Sequence, residues 1–127
     1  MRSQFEQLED IDELRRRIGI TRRQLEDAEY ALIERRDARD AVRDVDRETE
    51  RLLERASMTE GADPIAVESV ARELATARRN ALGELVNDAS RQVEALFALR
   101  RAELRLLEMS LAYRSFIRER ILWVRSL

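Results

Sequence analysis

Apolar residues recur three and four positions apart along nearly the whole chain, which is the period of an amphipathic α-helix. In the first half, residues spaced seven apart form one column along the predicted helix. Its members are apolar or threonine, apart from Arg35: Leu14, Thr21, Ala28, Val42, Thr49 and Ala56. A second apolar column, the companion column, runs beside the first. It lies at residues 18, 25 and 32 and then changes to the opposite side of the first column, at residues 38, 45 and 52. Such a winding stripe is expected of a supercoiled helix or of a helix that changes its packing partner.

The segment 56–64 interrupts this periodicity. Gly61 can adopt the left-handed conformation that closes a helix, Asp63 is a favourable N-cap, and Pro64 suits the first position of a helix. The pattern therefore predicts a helix from about Ser3 to Met58, a turn at 59–63 and a helix over 64–125. Because the turn is short, the two helices should be antiparallel neighbours.

A second interruption is indicated at Gly19. Arginines precede it, and Thr21 to Gln24 form a capping box, so the first helix is predicted to be kinked or broken at 19–21. The apolar register nevertheless continues across this point. Segments 3–58 and 64–119 are equally long, and folding about residue 61 would pair residue i with about residue 122 − i. This favours a hairpin kinked at Gly19 over a bundle with a third, short helix.

The predicted fold class is thus all-α, a long antiparallel helical hairpin or coiled coil in a single domain spanning 1–127. A sandwich or barrel is excluded, because one Pro and three Gly supply too few turns. The predicted core comprises Ile11, Leu14, Ile18, Leu25, Leu32, Val42, Val45, Leu52, Val67, Leu74, Leu85, Leu96, Leu99, Leu106 and Tyr113.

Composition argues against catalysis. The chain has no His and no Cys, so the usual general base, the thiol nucleophile and the strongest zinc ligands are missing. Acidic residues such as Asp37, Asp40 and Asp44 occur at helical spacing, as chance predicts in a chain with 26 acids. We expect no enzyme activity, no catalytic or metal-binding residues, no cofactor and no small-molecule ligand.

Arginines recur every four residues from Arg35 to Arg55, but acidic residues flank them at helical spacing. These pairs neutralise the ladder and stiffen a helix, and they remove the electrostatic attraction that nucleic-acid binding requires. We therefore expect no nucleic-acid partner.

The C-terminal end differs from the rest. Residues 100–127 hold seven Arg and three acids. They could lie near a headgroup layer or beside Glu6, Glu9, Asp10, Asp12 and Glu13 of the same chain. Because this end is apolar on more than one face, it requires a further partner. The predicted interface residues are Tyr113, Phe116, Ile117, Ile121, Leu122 and Trp123.

The segment from Tyr113 to Ser126, and above all Glu119-Arg-Ile-Leu-Trp-Val-Arg-Ser126, resembles a signature of large MscS-family mechanosensitive channels of the potassium-dependent, KefA-like type. In that family, a helical, coiled-coil-rich extracytoplasmic region precedes the membrane helices. The resemblance implies a non-catalytic structural or sensory domain on the periplasmic side of the bacterial inner membrane, part of a larger membrane protein. Its partners would be other parts of its parent protein or further copies of itself.

The alternative is a stand-alone cytoplasmic coiled-coil adaptor or scaffold that dimerises and bridges partners. No apolar run in the chain approaches the roughly 18 residues of a membrane span.

Overall fold

The computed structural model describes the backbone of residues 4–56 and 63–126 and the side chains of 10–56 and 63–126. Three helices account for 96% of the described residues, and no strand occurs among them. Helix α1 is Gln4–Ala41, α2 is Val45–Ala56 and α3 is Pro64–Ser126. The predicted all-α class and the hairpin-like arrangement of α1 against α3 are confirmed.

The first helical segment is broken at residues 42–44. Helix α1 continues through Gly19, so the alternative of a break at 19–21, with a third helix arising there, was wrong, while the favoured kink at Gly19 stays a prediction. The amides of Val42 and Arg43 bond to carbonyls three residues back, which tightens the last turn of α1. One side-chain oxygen of Asp44 then accepts the amides of Asp46 and Arg47 at 3.1 and 3.2 Å, which caps α2.

Packing explains why Gly19 does not end α1. A glycine inside a helix costs about 1 kcal/mol relative to alanine. Leu14 and Leu25, on either side of it, are both buried, and each contributes roughly 1.5–3 kcal/mol by leaving water. A break at Gly19 would disturb the register that buries them, so burial outweighs the local preference.

The start of α3 agrees with the prediction. A carboxylate oxygen of Asp63 accepts the amide of Ile65 at 3.1 Å, and Pro64 is the first helical residue. Helix α3 ends at Ser126, one residue beyond the predicted end. The predicted end of the first segment at Met58, the turn residues 59–62 and Gly61 lie outside the described residues.

The chain divides into two compact units. The first comprises α1 up to Asp27 and α3 from Val93 onward. Here the Thr21 hydroxyl donates a hydrogen bond to Glu103 Oε1 at 2.7 Å. A groove between the helices brings Asp10 and Leu14 beside Leu106 and Ser110. These contacts are antiparallel, and they agree with the predicted pairing of residue i with about 122 − i.

The second unit, Ala28–Gln92, joins the end of α1, all of α2 and the first part of α3. Two ion pairs connect α2 to α3, Asp46 with Arg72 at 2.6 Å and Glu48 with Arg78 at 3.0 Å. The buried residues of this unit are Ala28, Leu32, Val42, Glu48, Thr49, Ala71, Ala75, Val86 and Ala89.

The predicted core is correct on α1 but not on α3. Ile11, Leu14, Leu25, Leu32 and Val42 are buried. Half-buried positions are Ile18, Val45, Leu52, Val67 and Leu96. Five predicted core residues are exposed, namely Leu74, Leu85, Leu99, Leu106 and Tyr113. On α3 the buried positions are instead Ala71, Ala75, Val86, Ala89 and Val93, mostly small side chains that allow close approach of the helices.

Candidate interaction surface

The C-terminal end of α3 exposes large apolar side chains. Trp123 is 67% exposed and Leu122 66% exposed. Of the other predicted interface residues, Tyr113 and Phe116 are exposed, Ile121 is 36% exposed, and Ile117 is half-buried. Val124, which was not among the predicted interface residues, is exposed as well.

The length of α3 explains part of this exposure. Extending the antiparallel pairing of Thr21 with Glu103 and of Asp10 with Ser110 places Gln4, the first described residue of α1, opposite about residues 116–120 of α3. The residues of α3 beyond this point therefore extend past the described start of α1. Because Ile121, Leu122 and Val124 point in different directions around the helix, no single neighbouring helix could cover them all.

A second feature is a row of exposed apolar residues along α3, which we call the outer seam. Its members recur three and four residues apart, and Arg120 continues the same spacing. The outer seam consists of Leu99, Ala102, Leu106, Met109, Tyr113, Phe116 and Trp123. This is the spacing of a coiled-coil seam. Its members are exposed, although Leu106 also lines the groove beside Leu14 of α1.

The positions of α3 that face α1 form a different row. Val93 is buried, and residues 96, 103, 107, 110, 114 and 117 are half-buried. With 3.6 residues per turn, the outer seam lies about 100° around α3 from this row. The apolar arc of α3 in the first unit is therefore wider than α1 alone covers. The prediction placed Leu99, Leu106 and Tyr113 in the core because sequence spacing does not show which side of a wide apolar arc is covered.

Two charged side chains near this surface have partners on their own helix. The Arg120 guanidinium lies 5.9 Å from the centre of the Phe116 ring, within cation–π range. On α1, Glu13 pairs with Arg17 at 3.4 Å and with Arg16 at 4.0 Å. Glu13 thus has arginine partners on its own helix, and Glu6 and Glu9 lie outside the described side chains.

The arginine ladder does not lie on one helix, because residues 42–44 interrupt it. Of the acidic residues that flank the ladder, Glu48 pairs with Arg51 at 3.7 Å. Asp44 instead caps α2, and Asp46 binds Arg72 of α3. That hydrogen bond, together with the charge of Asp46, raises the pKa of Arg72 above its usual range. The prediction that the chain does not bind nucleic acid stays a prediction.

The described residues contain no group of three or more acidic side chains arranged to hold a metal ion. The groove between α1 and α3 in the first unit, with a volume of about 330 Å³, is open to solvent. None of the helices, over the part of the chain that the structure describes, is long and apolar enough to cross a membrane.

Comparison with known proteins gives no relatives: no family model, no curated protein and no solved structure matches the chain. The interaction surface is therefore the feature from which a function has to be argued.

Proposed function

We propose that the chain is a non-catalytic, extramembrane helical domain of a mechanosensitive channel, and that it docks on the remainder of its parent protein through the end of α3. The observation that carries the docking is the exposure of Ile121, Leu122 and Val124 on different sides of α3. The resemblance of the segment from Tyr113 to Ser126 to large MscS-family channels supports the choice of parent protein.

The energetics of this end favour a bound state. Burying a side chain such as leucine or valine is worth roughly 1.5–3 kcal/mol. Several of them clustered within one turn would make a substantial binding contribution if a neighbouring domain covered them. Contiguous exposed apolar patches of this kind mark interaction sites in soluble domains.

The side chains near this end support a position close to a membrane surface, and the choice of the periplasmic side comes from the family resemblance alone. Arg118, Arg120 and Arg125 are exposed, as is Trp123. Arginine and tryptophan are the residues that collect at the interface between headgroups and water. A structural or force-relaying domain directly above membrane helices would present such an end to the lipid surface.

The alternative is a stand-alone coiled-coil adaptor that dimerises and bridges partners in the cytoplasm. The outer seam favours it, since an exposed row of residues with coiled-coil spacing fits a second helix. The channel function requires membrane helices after α3 in the parent gene product, whereas the adaptor function requires none.

The test is to read the encoding gene beyond the codon for Leu127. The channel proposal expects several apolar spans of about 20 residues each. A stop codon directly after Leu127 would overturn it and favour the adaptor.

The docking itself is tested with a photo-crosslinking residue placed at Leu122 in the natural full-length protein in cells. A matched probe at Arg101, which is also exposed on α3, serves as the control. We expect crosslinks from position 122 to other segments of the same protein, and few from position 101. Equal yields from the two positions would contradict docking through this end.

A further inference from the structure

We propose that the outer seam of α3 is a self-association surface, which pairs antiparallel with the outer seam of a second copy of this chain about a two-fold axis near residue 111. The inference concerns how copies associate, and it agrees with the stand-alone adaptor. In a channel it would require α3 to lie along the membrane surface, so that both C-terminal ends reach the membrane, and it would cover Trp123. It depends on the spacing, the size and the charge of residues in the first compact unit.

The spacing specifies a helix as the occupant. With Arg120 included, the row of the outer seam alternates steps of three and four residues over about seven turns of α3, from Leu99 to Trp123. Side chains in such a row insert into the spaces between those of a facing helix with the same repeat. Because the row lies about 100° around α3 from α1, a second helix can pack there beside α1, as neighbouring helices do in a four-helix bundle.

The sequence of the seam favours antiparallel self-pairing. With the axis near residue 111, Leu99 faces Trp123, Leu106 faces Phe116, and Met109 faces Tyr113 of the second copy. The one charged residue in the row, Arg120, then faces the small Ala102, which leaves space for its long side chain. A parallel pair would place Arg120 directly against Arg120, where two like charges repel.

The flanking charges agree with the same register. Arg105 and Glu119 are exposed on one border of the outer seam. In the antiparallel pair, Arg105 of each copy lies beside Glu119 of the other, which gives two symmetric ion pairs. A two-fold axis requires such reciprocal contacts. A parallel pair has no equivalent, since Arg105 would there lie near Ser110.

The area is sufficient for a specific dimer. Six large side chains of the outer seam are exposed, namely Leu99, Leu106, Met109, Tyr113, Phe116 and Trp123. Covering them in both copies would remove roughly 1,000 Å² from water, near the lower limit for a specific interface.

The first test measures the association state of the full chain by sedimentation equilibrium at micromolar concentrations. Met109→Glu places a charge in the outer seam, while Leu104→Glu introduces a charge away from it; the two side chains are 61% and 42% exposed. We expect a wild-type dimer, a dissociation constant raised by about 100-fold or more in Met109→Glu, and little change in Leu104→Glu. A monomeric wild-type chain, or equal weakening by both substitutions, would overturn the proposal. Circular dichroism of each variant verifies that the helices remain.

The second test determines the orientation of the pair from disulfide formation between introduced cysteines. The chain has no cysteine of its own, so no other disulfide can form. Ala98 and Ala112 are both exposed and occupy equivalent positions of the seven-residue repeat. In the antiparallel pair, residue 112 lies next to the two-fold axis, so Ala112→Cys should form an intermolecular disulfide in high yield. Ala98→Cys should form little disulfide, because residue 98 of one copy lies beside about residue 126 of the other copy and far from its residue 98. Equal yields for the two variants would overturn the antiparallel register.

Discussion

A hydrogen-bonded polar pair interrupts the apolar seam between α1 and α3 in the first unit. Thr21 is only 3% exposed, and its hydroxyl donates to Glu103 Oε1 at 2.7 Å. The other carboxylate oxygen, Oε2, is buried without a hydrogen-bond partner. We predict that Thr21→Val destabilises the chain by about 1.5–3 kcal/mol, the usual contribution of a hydrogen bond to a charged group.

The substitution isolates this bond. Valine has nearly the shape of threonine, and the two have similar helix propensities. Urea unfolding followed by circular dichroism, at one fixed protein concentration, gives the free energy of unfolding of each variant. An unchanged urea midpoint for Thr21→Val would refute the reasoning, since it would mean that the hydroxyl contributes nothing to the folded state.

The same pair predicts the result of a double-mutant cycle. Glu103→Leu removes the carboxylate whose Oε2 has no partner. The double variant, Thr21→Val with Glu103→Leu, should be at least as stable as the wild type, because replacing both members of a buried polar pair by apolar groups is neutral or stabilising. A double variant whose loss equals the sum of the two single losses would show that the residues do not interact.

Three further changes test the helices themselves, each by the urea midpoint. Gly19→Ala should stabilise the chain by about 0.5–1 kcal/mol, because an added Cβ there meets no atom within 4 Å; a loss of stability would indicate that α1 is interrupted at this position after all. Asp44→Ala should cost about 1 kcal/mol by removing the cap of α2, and an unchanged midpoint would contradict the capping role. Ala75→Leu should cost about 1–3 kcal/mol, because residue 75 is 0% exposed, whereas Ala77→Leu on the exposed side should change little.

Local sequence signals predicted the start of α3 but not the start of α2. Asp63 and Pro64 form a strong signal, because a capping side chain and a proline act on the backbone beside them. Asp44 is also a capping residue, but neither glycine nor proline stands next to it, and it belongs to a regular series of acids. The sequence signal for the start of α2 was the change of the companion column near residue 38, because the helix is interrupted only a few residues later.

The interaction surface on α3 could also be predicted only in part. The segment from Tyr113 to Trp123 stood out in the sequence because it is apolar on several sides. The outer seam as a whole did not, because Leu99 and Leu106 were placed in the core. A wide apolar arc predicts that a helix is covered by more than one neighbour, but not which neighbour covers which side.

The all-α class, the cap of α3 and the register of α1 against α3 could be predicted from the sequence. The class and the cap depend on the helical period and on side chains that act over one turn, and the register depends on the equal lengths of the segments on either side of the turn. The packing of the helices was needed to show that α1 continues through Gly19, that residues 42–44 interrupt the helix, and that alanines rather than leucines form much of the buried face of α3. The physical reason is that burial depends on how closely two helices approach, and small residues set that distance although they contribute little to a hydrophobic pattern.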